Sequence, residues 1–309
     1  SVGFVVSDFE AFSYILRLNH RSRFMALQLR AGRPDDAQTC GRICFEAFKS
    51  ISEHHRFPWD FPDADTAIGL LTDLLNRDDV YSVVAEEDGR IVGSNFLWEQ
   101  TVIAGVGPIT VDPAGQNGKV GRQLMVDVMR RAAERKFAGV RLLQAAYHNR
   151  SLSLYTKLGF DAREPISVMQ GDPLGLSVPG CPVQAATLAD VEACNDLCRR
   201  THGHDRDLEL RQAIALGTAT VVHRHNRVTA YATMIGFFGH AVAESNEDMQ
   251  ALIGAAPAFP GPGFLLPTRN SGLLRWCLQH GLRIVMPMTL MSVGLYNEPS
   301  NPFMPTVIF

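Results

Sequence analysis

Apolar positions along the first half of this chain change period in an ordered way. "FMALQLRAG" (residues 24–32) alternates like a strand, and Asp35 or Asp36 can then cap a helix running to about Phe48. "SISEHHRFPWDFP", broken by Pro58 and Pro62, reads as a loop. Ile68, Leu71, Leu74 and Leu75 recur at helical spacing and predict a helix over Ala64–Asn76. "VYSVVAEE", the turn "DGR" and "IVGSNFLWE" predict a β-hairpin, and "VIAGVGPITV" a further strand. A glycine-rich turn leads into a helix over Lys119–Lys136, followed by strand "GVRLLQAA", a short helix through "SLSLYTKLG", and a strand near "FDAREPISVMQG".

The prolines and glycines of "GDPLGLSVPGCPV" mark a linker, and the same order of elements then begins again. A short strand, a capped helix and a second helix near Leu208–Leu216 precede another hairpin, "ATVVHRHNRVTAYATMIGFF". Leu142–Phe160 can be laid beside Phe264–Leu282 with one inserted residue, pairing Asn149 with Asn270 and Tyr155 with Trp276. The pattern implies an α/β (α+β) protein of two tandem domains, each a mixed, mostly antiparallel sheet flanked by helices. We place an N-terminal arm at 1–24, the first domain at 25–171, the linker at 172–182 and the second domain at 183–309.

The 309 residues suit two domains, with 46% apolar and 20% charged residues giving real cores. A net charge of −3 provides no basic field for nucleic acid. No apolar run approaches a membrane span, and the first 24 residues lack the basic leader of a signal peptide, so a soluble, cytoplasmic protein is expected. Cys40/Cys44 and Cys194/Cys198 stand four apart in helical patterns, which suits buried small side chains. Without a CxxC pair, no metal is expected. "THGHD" (His202, His204, Asp205) has two imidazoles, but at a spacing better suited to a polar helix–helix turn.

The glycine turn "VDPAGQNGKVGRQLM" (residues 111–125) carries the chemistry. A helix N-terminus leaves about four N–H groups unpaired and carries partial positive charge, and glycines there let a phosphate approach. Neither a P-loop nor a dinucleotide fingerprint fits: Lys119 is followed by Val120, and the turn follows a third strand. In this position the turn resembles the loop of the GNAT superfamily of acyl-CoA N-acyltransferases, Gln/Arg-x-x-Gly-x-Gly/Ala. Gln116 matches its start and Gly121 its end, while the first family glycine falls on Lys119, one place after Gly118. "SLSLYTKLGF" resembles the family's second signature. The resemblance covers about residues 25–171.

It implies a splayed sheet admitting the pantetheine arm of acetyl-CoA as co-substrate. Ile109, Thr110 and Val111 would pair with that arm, and Gln116, Asn117, Gly118, Lys119, Val120, Gly121 and Arg122 would take the pyrophosphate. Asn149 matches the family's cofactor-contacting Asn, although it lies six residues before the tyrosine instead of seven, which puts His148 in the aligned place. Tyr155 is the implied acid for the leaving thiolate, with a core tyrosine as the alternative. Glu99 is a candidate base, or else an exposed strand-end charge. His54 and His55 are candidate acceptor contacts, and Phe57, Trp59 and Asp60 could accommodate an amine with an apolar body. The second domain resembles the same fold with its site lost, because Glu244, Glu247 and Asp248 occupy the equivalent helix start. The expected activity is direct acetyl transfer to the amine of a small molecule or amino acid, in a ternary complex. A non-catalytic acyl-CoA sensor is the alternative. Nucleic acid and membrane are not expected partners, and a homodimer is admitted.

Overall fold

The computed structural model describes residues 27–115 and 119–308. The proposed N-terminal arm lies outside the described residues, as do Gln116, Asn117 and Gly118 of the glycine turn. The first half contains β1 (Gln28–Ala31), α1 (Ala37–His55), α2 (Ala64–Leu75), β2 (Val80–Glu87), β3 (Arg90–Trp98), β4 (Ile103–Val106) and β5 (Thr110–Val111). It continues with α3 (Val120–Glu134), β6 (Gly139–Ala145), α4 (Asn149–Lys157) and β7 (Asp161–Gln170). The second half contains β8 (Val183–Ala185), α5 (Val191–His202), α6 (Asp207–Ala215), β9 (Thr220–Arg224), β10 (Arg227–Ala232) and β11 (Ala241–Ala243). It ends with α7 (Asn246–Ala255), β12 (Phe264–Pro267), α8 (Ser271–Gln279), β13 (Arg283–Gly294) and β14 (Phe303–Met304).

Both halves begin alike for the same local reason. A one-turn 3-10 helix enters α1, and the carboxylate of Asp36 accepts from the N–H of Arg33 at 2.7 Å. Before α5, Asp190 accepts from the N–H of Thr187 at 2.8 Å. Each acid satisfies a donor that the incoming chain would leave unpaired. Two sequence expectations need correction. Helix α1 runs seven residues beyond Phe48, to His55, because Ser52 packs inward and the helix stops only at Arg56, in the left-handed conformation (φ 61°). The expected strand Val102–Val111 is two strands, broken at Gly107–Pro108 where proline has no N–H to give a ladder.

The strands form two sheets. One runs β1-β2-β3-β4-β6-β13-β7-β12, with β5 attached to β3; the other runs β14-β11-β10-β9-β8. In the larger sheet the halves exchange strands. Strand β13 of the second half lies antiparallel between β6 and β7, in register from Met288↔Ala145 to Gly294↔Gly139 on the β6 side. Reciprocally, β7 lies between β13 and β12, with Phe264↔Met169 through Pro267↔Ile166. Each half therefore completes the other's sheet, which is how two tandem units share a nine-stranded sheet.

Around the first half, one apolar layer joins the sheet to α3 and α4 through Leu124, Met125, Val128, Val140, Leu142 and Tyr155. A second layer, with Cys40, Cys44, Leu71, Leu74, Val84 and Phe96, joins the other face to α1 and α2. The six cysteines are free and buried, and burial pushes the thiols up, so they serve as small apolar side chains.

Candidate active site

Strands β4 and β6 run parallel and pair only over Ile103–Gly105 against Gly139–Arg141. Beyond Gly105 they part. Gly107 turns the chain with φ 136°, a conformation that side chains disfavour, and Trp98 Nε1 donates to the Gly107 carbonyl at 2.8 Å, fixing the bend. Strand β5 then pairs with β3 alone, Thr110 opposite Ser94 and Val111 opposite Gly93. Ile109, Thr110 and Val111 thus border an opening where β4 and β6 cease to pair. Backbone groups on a parted edge need partners, and an extended amide-bearing arm can supply them as an added strand would.

The opening leads to the start of α3. Lys119 is its N-cap, in the left-handed conformation with φ 66°. This explains the family's preference for glycine there: a Cβ in that conformation costs roughly 1–2 kcal/mol, which Lys119 bears here. The N–H groups of Val120, Gly121 and Arg122 form the first turn, where intrahelical partners do not exist. A Cβ at Gly121 would meet only the tips of Val111 and Leu154, at 3.7 and 3.8 Å. Packing alone does not demand glycine at this position.

Tyr155 is buried in the layer under α3 and α4, with its ring 6.1 Å from that of Phe160. Burial holds its hydroxyl far above the ordinary range, so it stays protonated at any physiological pH. Asn149 is the exposed first residue of α4. His148 is its N-cap, and burial, then Arg150 and His55, lower its imidazole to about 4.

Glu99 is placed elsewhere, and its assignment as a base needs correction. Its carboxylate is buried between two guanidiniums, Arg131 Nε at 2.7 Å and Arg135 Nε at 3.5 Å. Those arginines end α3, about three turns from the glycine loop. A carboxylate held this way anchors a helix end and has no free proton-accepting edge for an amine. His54 and His55 stand on the last turn of α1, not on a loop. His54 is exposed, whereas the His55 ring lies 5.3 Å from Tyr147, which stacks on Phe57 at 4.0 Å.

Asp60 emerges beside this aromatic group. Burial pushes its carboxyl up to about 6, opposed by a 3.2 Å hydrogen bond from the Ser52 hydroxyl and a bond from its own backbone N–H. Sequence reading had placed Asp60 in the acceptor loop without a catalytic role; the signal available was a lone acid among Phe57, Trp59 and Phe61.

The second half lacks the opening. Strand β14 pairs with β11, Phe303 opposite Val242, and lies beside β12, in the place where the first half parts. Ser245 caps α7 by accepting from Asp248 N–H at 3.2 Å, and buried Asp248 also takes the hydroxyls of Ser245 and Thr229. Asn246 and Asn270 exchange amide hydrogen bonds at 2.8 and 3.1 Å, clasping α7 to α8. A phosphate would find those helix ends already satisfied.

Residues 47–160, which hold the glycine turn, the opening and Tyr155, match the model of the Acetyltransferase (GNAT) family. Over those residues the chain is similar to a GNAT acetyltransferase domain. A putative acetyltransferase from Pyrococcus horikoshii superposes over both halves, covering 95% of this chain and 98% of its own, with a TM-score of 0.72 at 17% identity. A GCN5-related N-acetyltransferase from Sphaerobacter thermophilus covers 88% of this chain and 96% of its own, with a TM-score of 0.57 at 14% identity. At such identities the likeness concerns the fold, and it spans the tandem arrangement. A search of curated proteins finds no match to this sequence. Among the described residues, no helix is long and apolar enough to cross a membrane.

Proposed function

We propose that the first half binds one acetyl-CoA and transfers its acetyl group directly to the amine of a small molecule or amino acid. The observation that carries this reading is the parting of β4 and β6 beyond Gly105, aligned with the start of α3, which has no side-chain cap among the described residues. The pantetheine arm would lie along Ile109–Val111 and the pyrophosphate on the Val120–Arg122 amides, with Asn149 at the rim. A backbone N–H after the bend at Pro108 would polarise the thioester carbonyl as negative charge develops there.

The amine must arrive neutral or lose a proton, attack the carbonyl carbon, and expel the thiolate. Tyr155 supports the last step: a phenol that burial keeps protonated can donate to sulfur as the C–S bond breaks. Asp60 supports the first, because a carboxyl near 6 is ionised at neutral pH yet basic enough to accept a proton. His148, held neutral, is a second acceptor near the same aromatic group. The second half serves as a closed wall and as the donor of β13. The decisive test measures thiol release from acetyl-CoA over a panel of amines, alongside calorimetry. Turnover with a stoichiometry of one is expected. Binding without turnover on any amine would replace the enzyme with an acyl-CoA sensor, and two equivalent sites would remove the closed-wall role.

A further inference from the structure

On β6 the side chains alternate between faces. Val140 and Leu142 enter the layer under α3 and α4. Arg141 and Leu143 therefore point to the opposite face, where Leu143 packs with Phe57, Tyr147 and Val307. Arg141 lies opposite Gly105, the last paired residue before the sheet opens. Its side chain ends in a cavity between the halves, bounded also by His202, His240, Tyr296, Phe303 and Pro305.

Arg141 is 4% exposed, and its Nε and Nη2 have no hydrogen-bond partner among the described residues. A buried guanidinium without a carboxylate is costly, since burying a charge requires compensation. The nearest ring, Tyr296, lies 5.3 Å away, and its hydroxyl is likewise without a partner among the described residues. His202 and His240 meet through Nε2 at 3.2 Å, while both Nδ1 atoms lack partners. One imidazole must donate across that bond and the other accept, so the accepting ring carries its proton on Nδ1, a further unmatched donor. The cavity wall thus offers N–H and O–H donors around a fixed positive charge, and no carboxylate lines it.

We propose that this cavity binds one small monoanionic group on Arg141. Its volume of about 10 Å³ is near the lower bound for one small group, which excludes a phosphate and leaves a halide ion or one end of a carboxylate. Both sources share the chemistry: a free halide, or the carboxylate of an acceptor reaching past the sheet opening. A metal ion is the competing occupant, because ligand atoms of Cys198, His202 and His240 lie within 4.8 Å of one another. The charge of Arg141 disfavours a cation there, whereas Arg206 in the same wall is paired with Glu209.

The test follows the melting temperature of the full chain during bromide or formate titration at constant ionic strength, together with anomalous diffraction from bromide-soaked crystals. We expect saturable stabilisation, a bromide peak beside Arg141, and at least tenfold weaker binding in Arg141→Met. Should that variant not fold, Tyr296→Phe keeps the ring and deletes one donor, with several-fold weaker binding expected. Equal responses in wild type and a folded variant, or no bromide peak, would overturn the proposal. So would stoichiometric zinc binding that His240→Ala abolishes and Arg141→Met leaves intact. A second arm distinguishes the sources. If the acceptor supplies the carboxylate, bromide raises KM for an amino acid and not for its decarboxylated amine. If the anion is free, bromide leaves both KM values unchanged. The titration reads the site even where no amine is turned over.

Discussion

The two halves of this chain repeat one order of elements, yet they treat the same point of the sheet in opposite ways. In the first half β4 leaves β6 after Gly105, and α3 begins with a left-handed lysine whose side chain caps no amide. In the second half β14 fills the matching place beside β11, a serine caps α7, and two asparagines clasp its neighbour. The difference teaches that an anion site of this kind is defined as much by what is left unsatisfied as by what is supplied. Both helix starts carry the same dipole. Of the two, only the α3 start lacks a side-chain cap among the described residues.

The strongest test of this contrast is Tyr155→Phe. Turnover measured by thiol release should fall by about 10²-fold or more, the range for losing a general acid, while acetyl-CoA affinity changes little. Trp276, the matching aromatic residue of the second half, should tolerate Phe without loss of rate. Full activity in Tyr155→Phe would leave the tyrosine a core residue and water the proton source.

Gly121→Asp comes next. It places bulk and negative charge at the bare helix start, and calorimetry should record about tenfold weaker acetyl-CoA binding, near 1.4 kcal/mol. Its counterpart is Asn270→Ala, which opens the clasp of the second half and should leave the stoichiometry at one, since β14 still fills the sheet. A second bound cofactor in that variant would show that the clasp alone had closed the site.

A smaller effect is expected at Asp60. With its carboxyl raised from 3.8 to about 6, the folded protein holds a proton that the unfolded chain has released between those values. The sign follows: stability falls as pH rises through that window, because the native state binds more protons there. Asp60→Asn should flatten that fall in a pH series of melts. It should also remove an ascending limb near pH 6 from the rate profile. A limb that survives would point to His148 or to an amine that needs no base. Smallest of all is Glu99→Gln. It weakens the clamp on Arg131 and should cost about 1 kcal/mol of stability, with kcat unchanged.

Much of this was readable from periodicity and turn chemistry. The hairpin β2–β3, the helix after the glycine turn and the repeat of Leu142–Phe160 in Phe264–Leu282 are local patterns, and local patterns survive in sequence. The end of α1 was not readable, because "SISEHH" is too polar to mark a buried face, although Ser52 is buried and its hydroxyl donates to Asp60. Glu99 misled for a related reason: an acid at a strand end says nothing of the two arginines, 32 and 36 positions onward, that meet it. Arg141 reads as an ordinary charge in "GVRLLQAA" until β13 and the second half bury it. The exchange of β7 and β13 leaves no periodic trace at all.

That exchange also sets a clock on biosynthesis. Strand β7 leaves the ribosome roughly 120 residues before β13, the strand that must lie between it and β6. At about 5–20 residues per second, β6 and β7 wait some 6–24 seconds with facing edges unpaired. Unpaired edges recruit other strands. A nascent first half is therefore a sticky intermediate, dependent on prompt arrival of its own C-terminal strand or on a chaperone to cover the gap. Cutting the gene at the linker would make that interval permanent.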